Sequence, residues 1–333
     1  MNPSDDREGV TRRAMLGRAT AAAGLAVLSG GAQRPNAGRK IRGKPESTGE
    51  ADQTARVEQR AKEAGLGRLQ SSRTEHFLCL GDAPQAYREE ALGICESLAK
   101  AFIPHLKERG FKVAMPPNRM MVVALNDARS YEAFLAEEPG RSVGGHYDLD
   151  ANRLVIFDFR PADGEQKAGA ERLNTFTLVH ETAHLLCFNS GLLALDHEPP
   201  RCVSEGLATY FEMWRPWARA GVGAVNRPRL LAIRQAGKGD VPWVETRRLF
   251  VEDQLFDQEA TAQLAYGQCW LLLNSMLQSR IWQPRLAAYL KAVAAAPALQ
   301  SDADRIKTAE EHLGSLDQLD ERMKKQARSL LRD

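Results

Sequence analysis

Apolar and polar positions along this chain follow the periods of short strands and of longer helices. Stretches rich in branched and aromatic residues at 76–80, 120–125 and 153–159 predict buried strands. Between the first two, apolar residues recur at helical spacing from Tyr87 to Phe102. Strands and helices mixed in this way predict an α+β fold, with a small mixed sheet followed by a mainly helical C-terminal part.

The longest apolar helical pattern runs from about Glu171 to Asn189, and Gly191 can terminate it. It contains His180-Glu181-x-x-His184. On a helix, residues four apart stand one turn above the other, so the two imidazoles can share one metal ion. Imidazole nitrogens suit Zn²⁺, and two of them leave room for a third protein ligand and a water. The alternative is a buried helix that carries two structural histidines.

The third ligand has to come from the residues that follow this helix. A metzincin would have glycine and histidine where this chain has Cys187 and Ser190, which excludes that class of zinc enzyme. The remaining candidates are Asp196, His197 and Glu205. We favour Glu205 because it lies at the start of a helix that Ser204 is expected to cap, which holds its carboxylate rigidly. His180, His184 and Glu205 would then form a His₂Glu site that leaves a water position.

The motif and the glutamate-headed helix together resemble the gluzincin pattern of the thermolysin-like superfamily. The residues that carry this resemblance are His180-Glu181-x-x-His184 and Ser204-Glu205-Gly206-Leu207-Ala208, with twenty residues between His184 and Glu205. More narrowly, they are similar to exported bacterial peptidase-like domains of unknown function. The resemblance is sharp over residues 175–212 and diffuse over about 72–280. It implies a zincin fold, in which the strand from Leu154 to Phe159 runs along the cleft and pairs with substrate backbone.

The chain departs from thermolysin at Thr209, where an aspartate would be expected to support a ligating histidine. Glu212 is a weak substitute on the same helical face, and we expect it to be a solvated surface glutamate. The resemblance also implies that a tyrosine hydroxyl from a later helix, predicted over residues 258–277, stabilises the oxyanion. Tyr266 is the candidate and Tyr210 competes with it; the alternative for both is aromatic packing in the core.

Composition narrows the classes of partner. The 333 residues include 45 Lys and Arg against 43 Asp and Glu, so a net charge of +2 favours neither nucleic acid nor an acidic membrane surface. No stretch approaches the roughly 18 consecutive apolar residues of a membrane-spanning helix. Five scattered cysteines without a C-x-x-C pair exclude a zinc ribbon. A Cys187–Cys202 disulfide is conceivable, with buried free thiols as the favoured alternative.

The N-terminal residues 1–32 are typical of an export signal. Thr11-Arg12-Arg13-Ala14-Met15-Leu16 resembles the twin-arginine signature, and an apolar run over residues 19–28 follows it. Small residues precede a cleavage point after Ala32. Export to the periplasm or the exterior is therefore expected, with an uncleaved N-terminal tether as the alternative.

The remaining chain divides by composition into three parts. Residues 33–70 are predicted to be a disordered linker with a loosely attached helix, 71–280 a zincin-like domain, and 281–333 a C-terminal helical extension for packing or partner binding. Residues 144–148 begin with two glycines and predict a turn, so His146 is expected to be a turn residue rather than a ligand.

These expectations combine into one functional hypothesis. The chain is predicted to be an exported zinc metallopeptidase, in which Glu181 is the general base that activates a water at the metal and passes its proton to the leaving amine. Two alternatives stay open: a non-catalytic zincin domain that binds a protein or cell-envelope component, and a zinc hydrolase of non-peptide amides. Substrate specificity and oligomeric state are not indicated by any motif.

Overall fold

A computed structural model describes residues 49–136, 144–159, 168–218, 221–239, 241–298 and 300–332, without the side chains of residues 168–174. The export signal expected over residues 1–32 lies outside the described residues, as does most of the linker that follows it. None of the described helices is both long enough and apolar enough to cross a bilayer.

The described residues form five strands and eleven α-helices, which confirms the predicted α+β class. In chain order the elements are α1 (Glu50–Glu63), β1 (Gln70–Arg73), β2 (Phe77–Gly81), α2 (Gln85–Lys107), β3 (Met120–Leu125), α3 (Ala128–Leu135), β4 (Gly145–Asp148), β5 (Arg153–Phe157), α4 (Ala168–Asn189), α5 (Arg201–Phe211), α6 (Arg227–Ala236), α7 (Thr246–Val251), α8 (Ala262–Leu277), α9 (Gln283–Ala294), α10 (Asp302–Leu313) and α11 (Leu316–Leu330). A 3₁₀ turn, Asp253–Phe256, lies between α7 and α8.

The strands form one mixed sheet in the order β1-β2-β3-β5-β4. The three central strands β2, β3 and β5 are parallel, and β1 and β4 flank them in antiparallel pairing. Helix α2 makes the crossover from β2 to β3, as parallel neighbours require. The three predicted strands are therefore the centre of the sheet, where both faces are covered and apolar residues run continuously.

Alternate side chains of the central strands supply two separate hydrophobic clusters. Val122, Leu154 and Ile156 point toward α2 and the motif helix α4 in the larger cluster. Val123 and Val155 point to the opposite face, which α1 and α3 cover. This alternation follows from the period of two along a strand. The motif helix is thus held between the sheet and the C-terminal helices.

Two local predictions are wrong. The expected turn at residues 144–148 is the strand β4, whose residues pair with β5 from Gly145 opposite Ile156 to Asp148 opposite Arg153. Helix α1 is not loosely attached either: Val57 and Ala61 are buried in the cluster beneath the sheet. In both cases a long-range partner, which local composition cannot reveal, supplies the stabilising contacts.

The C-terminal helices α9, α10 and α11 pack into the same core as the motif helix. Asp320 on α11 accepts hydrogen bonds from Trp243 Nε1 at 2.9 Å and from the Thr246 backbone and hydroxyl at 3.0 and 2.8 Å. Arg305 on α10 pairs with Asp253 at 2.8 Å. These contacts fix α11 to the start of α7 and α10 to the 3₁₀ turn that follows α7.

Candidate metal centre

Helix α4 presents His180, Glu181 and His184 in the interior of the protein. The helix packs on α2, on β4 and on α5, so apolar residues surround it on every side. This explains the absence of a single apolar stripe, since a helix buried all round needs none. Gly191 follows the helix with φ +82°, as expected for a glycine at a helix C-terminus.

Glu205 comes from α5, which begins at Arg201 after Pro200. Ser204 therefore does not cap this helix; its hydroxyl donates to the Arg201 carbonyl at 3.2 Å. Glu205 lies one turn inside the helix and is completely buried. Gly206 lets α5 approach α8 closely, because an added Cβ would lie 2.7 Å from the Leu273 side chain. The tight packing of α5 between α4 and α8 positions the carboxylate.

The three predicted ligands form one compact group, within the described residues, that could hold a metal ion. His180 Nε2 lies 3.1 Å from His184 Nε2 and 3.2 Å from Glu205 Oε2, and His184 Nε2 lies 3.3 Å from the same oxygen. Tetrahedral zinc with bonds of about 2.0–2.1 Å separates its ligand atoms by about 3.3–3.4 Å. The observed triangle therefore has the size that such an ion requires.

The other histidines considered are engaged elsewhere. His197 lies 2.9 Å from the Val293 carbonyl through Nε2 and 2.8 Å from Asp196 Oδ1 through Nδ1. These contacts leave both alternatives to Glu205 outside the group. His146 lies on β4, with Nδ1 2.9 Å from the Tyr131 hydroxyl. It lies outside the group formed by His180, His184 and Glu205, and its element is a strand rather than the expected turn.

Glu212 supports His180, which corrects the expectation of a solvated surface glutamate. Its side chain is completely buried, and Oε1 lies 2.7 Å from His180 Nδ1. Because a carboxylate only accepts, Nδ1 carries the proton and Nε2 is left to face the metal position. Arg229 on α6 binds both carboxylate oxygens of Glu212, at 2.6 and 2.9 Å, and Asn226 donates a further bond at 2.6 Å. The carboxylate that supports His180 therefore lies seven positions after Glu205. The thermolysin pattern would place it four positions after Glu205, where this chain has Thr209.

Charges in this network shift the pKa values of its members in opposite directions. Burial opposes ionisation of Glu212, but Arg229 and His180 outweigh it and lower its pKa to about 2. Burial alone would also lower the pKa of His180, yet the carboxylates of Glu205 and Glu212 raise it to about 10. A cation at the centre would replace the proton that His180 shares with these carboxylates.

Glu181 faces the sheet rather than a second carboxylate. Its Oε2 accepts a 2.7 Å hydrogen bond from the Tyr147 backbone amide on β4. Its Oε1 is buried without a hydrogen-bond partner among the described residues. Burial raises the pKa of this carboxyl group above its ordinary value. A buried carboxylate that has no hydrogen bond at one oxygen is suited to exchange a proton with a molecule bound at the centre.

The strand that borders the site is β4, not the predicted strand at 154–159. Strand β5 pairs with β3 on one side and β4 on the other, so it has no free edge for a substrate backbone. The outer edge of β4 faces α4, and the Tyr147 amide there already donates to Glu181. Pairing of substrate with β5 is therefore excluded, and one donor of the β4 edge is in use.

The two candidate tyrosines lie in different surroundings. The Tyr266 ring centroid is 6.4 Å from that of His180, and its pKa is raised by burial and by the Glu205 carboxylate. The Tyr210 hydroxyl instead lies 2.9 Å from His105 Nε2. The fold thus brings Tyr266 beside the ligand group, whereas the Tyr210 hydroxyl contacts His105 on α2.

Three buried polar atoms of the centre lack a hydrogen-bond partner within the part of the chain that the structure describes: Glu181 Oε1, His184 Nδ1 and Glu205 Oε1. Buried polar atoms are normally paired, so this concentration fits a polar group or a cation at the centre. Cys187 and Cys202 are buried free thiols, and the conceivable disulfide between them is not formed.

Fold and centre together define an α+β protein with a buried His-His-Glu group able to hold a metal ion. Residues 174–300 are similar to a family described as "Protein of unknown function (DUF1570)". That stretch contains His180, His184 and Glu205 as well as Glu181, Glu212 and Tyr266. No curated protein matches the chain.

Proposed function

We propose that this protein is an exported zinc-dependent metallopeptidase of the gluzincin type. The observation that carries the proposal is the triangle of His180, His184 and Glu205 ligand atoms, which lie 3.1 to 3.3 Å apart. Glu181 directly follows His180 on helix α4. Two neutral imidazoles and one carboxylate are the donor set of catalytic zinc in hydrolases, because a coordination position remains for substrate or water.

The chain's own residues have separable roles in this proposal. When bound, zinc supplies Lewis acidity that polarises a carbonyl group and makes water more acidic. Glu181 takes the proton of the attacking water on its free oxygen and returns it to the leaving amine. The Tyr147 amide holds the other oxygen in place. Tyr266, beside His180, is the candidate donor to the oxyanion.

The position of Glu181 favours catalysis over a purely binding zincin domain. A carboxylate kept only for structure would be expected to have both oxygens paired, whereas one oxygen of Glu181 has no partner among the described residues. Hydrolysis of a non-peptide amide would use the same groups.

The proposal of export rests on residues 1–32 alone. N-terminal sequencing of protein from the secreting cell tests it, and we expect cleavage after Ala32.

The test compares the purified full chain with Glu181→Gln and with a control variant, Glu96→Gln. Glu96 is a buried glutamate that accepts from His76, so its substitution matches the chemical change away from the centre. Metal analysis and mass-spectrometric profiling of a mixed peptide library are run on all three proteins. We expect about one zinc per chain in each, and peptide cleavage in all but Glu181→Gln. A well-folded wild type without zinc, or full activity in Glu181→Gln, would refute the proposal.

A further inference from the structure

Arg201 is a buried cation beside the metal centre, and two of its three guanidinium nitrogens make no hydrogen bond within the part of the chain that the structure describes. It is the first residue of α5, one turn before Glu205, and its side chain is only 8% exposed. Nη1 donates to Asp257 Oδ1 at 2.7 Å and contacts the Asp253 carbonyl at 3.5 Å. Nε and Nη2, which form one edge of the group, have no hydrogen-bond partner among the described residues.

The free edge lies next to a metal ligand. Arg201 Nε is 3.8 Å from Glu205 Oε1, which is too long for a hydrogen bond. The Phe256 ring covers the guanidinium at 5.2 Å, and Phe256 in turn contacts Tyr266, with ring centroids 5.3 Å apart. Asp257 and Phe256 therefore fix the orientation of the guanidinium, while its Nε and Nη2 make no hydrogen bond with any described residue.

A second buried arginine shows what such an edge binds in this protein. Arg229 directs the same two nitrogens at one carboxylate: Nε donates to Glu212 Oε2 at 2.9 Å and Nη2 to Glu212 Oε1 at 2.6 Å. This bidentate arrangement matches the planar geometry of both groups. At the Arg201 edge the Glu205 carboxylate lies 3.8 Å from Nε and accepts no hydrogen bond, so a ligand whose carboxylate accepts from both nitrogens would be bound strongly.

We propose that Arg201 binds the C-terminal carboxylate of the substrate, so that the enzyme removes residues from the C-terminal end of peptides. This inference rests on the proposed peptidase function and adds its substrate class. In a peptide cleaved at its last bond, the terminal carboxylate carbon is three bonds from the scissile carbonyl carbon, within about 4 Å. A guanidinium adjacent to a metal ligand suits that short separation.

The burial of the metal centre also favours cleavage at a chain end over cleavage within a long chain. His180, Glu181, His184 and Glu205 are between 0 and 2% exposed. Cleavage inside a long chain requires room for polypeptide on both sides of the scissile bond. A terminal residue needs a pocket on one side only, and the Arg201 edge supplies the recognition element of that pocket.

The test uses two mixtures of synthetic octapeptides that differ only at the C-terminus, one with a free carboxylate and one with an amide. Zinc-loaded wild type is compared with Arg201→Lys, which keeps the charge but loses the two-nitrogen edge. Arg88→Lys is the control, because Arg88 is a buried arginine that pairs with Ala83 and Ser72 on the sheet side of α2. We expect wild type and control to cleave free-acid peptides one residue from the end, at least 10- to 100-fold faster than amides, as the loss of a charge-assisted bidentate contact implies. In Arg201→Lys the preference disappears and zinc content is unchanged.

A binding measurement separates this inference from the peptidase proposal. The same mixtures, labelled at the N-terminus, are titrated with zinc-loaded Glu181→Gln alone and combined with Arg201→Lys, and bound fractions are read by fluorescence anisotropy. Preferential binding of the free acid that depends on Arg201 supports the carboxylate site, even if no peptide is hydrolysed and the peptidase proposal fails. Equal cleavage and equal binding of acid and amide would overturn it and leave the peptidase proposal intact. Loss of zinc in Arg201→Lys would also overturn it, because Arg201 would then act by holding Glu205.

Discussion

Replacing Glu212 with glutamine tests whether the buried network behind His180 supports the metal centre. Glu212 accepts hydrogen bonds from His180, from both Arg229 nitrogens and from Asn226, at 2.6 to 2.9 Å. Each carboxylate oxygen of Glu212 accepts from two donors. In glutamine one of these oxygens is replaced by an NH₂ group, which cannot accept, so two hydrogen bonds are lost. Arg229 would also keep its charge in the interior without a counter-ion. Breaking a buried pair in this way costs about 3–5 kcal/mol, and loss of support for a metal-ligating histidine weakens metal binding by about 10- to 100-fold.

Two assays measure these effects separately. Urea denaturation of the metal-free protein gives the free energy of unfolding, and competition with a chelator of known affinity gives the zinc dissociation constant. Glu96→Gln is the matched control, since Glu96 also accepts from a histidine Nδ1 but lies outside the group of His180, His184 and Glu205. We expect the control to leave zinc affinity unchanged. The reasoning is refuted if Glu212→Gln stays within about 1 kcal/mol of wild-type stability and within about threefold of its zinc affinity.

Four further predictions concern packing, pH, the C-terminal helices and the metal. Gly206→Ala should cost about 1–3 kcal/mol in urea unfolding, because its Cβ would lie 2.7 Å from Leu273; unchanged stability would show that α5 and α8 can separate freely. Burial and Arg109 lower the pKa of His105 to about 4, so the folded state resists its protonation. Stability should therefore fall by about 1 kcal/mol, after allowance for solvent screening, as pH drops from about 6.5 to 4; His105→Gln should lose that part of the acid sensitivity, and an identical pH profile would contradict this. Asp320→Ala should destabilise the whole protein by about 1–3 kcal/mol in one cooperative transition, whereas a separate early transition would mean that α11 unfolds independently. Chelation of zinc should lower the melting temperature, with about 2.7 kcal/mol regained at a free zinc concentration 100 times the dissociation constant; no shift would argue against a bound ion in the folded state.

The central part of the site was predictable because its geometry is local. His180 and His184 are one helical turn apart, and that spacing follows from the residue count along any α-helix. A glutamate held on a following helix predicts Glu205 as the third ligand, and the structure places Oε2 of that residue 3.2 and 3.3 Å from the two imidazoles. The predicted cap is wrong, since Ser204 lies inside the helix.

The supporting residues were missed because their roles depend on distant partners. Glu212 is seven residues beyond Glu205, and a glutamate at that spacing has the same sequence pattern whether it faces solvent or Arg229. Asn226 and Arg229 lie in a polar stretch whose burial arises only when α6 packs against α8. The local pattern of β4 predicts a turn because Gly144 and Gly145 weaken the strand signal, and pairing with β5 supplies what the local pattern lacks.

By itself the sequence determined the α+β class, the three central strands and the His-Glu-x-x-His ligand helix, because hydrophobic period and helical spacing are properties of neighbouring residues. Tertiary structure alone decided which strand borders the site, which carboxylate supports His180 and which arginine edge makes no hydrogen bond among the described residues. These features depend on contacts between segments tens of residues apart, and the cost of burying an unpaired charge makes each such contact specific.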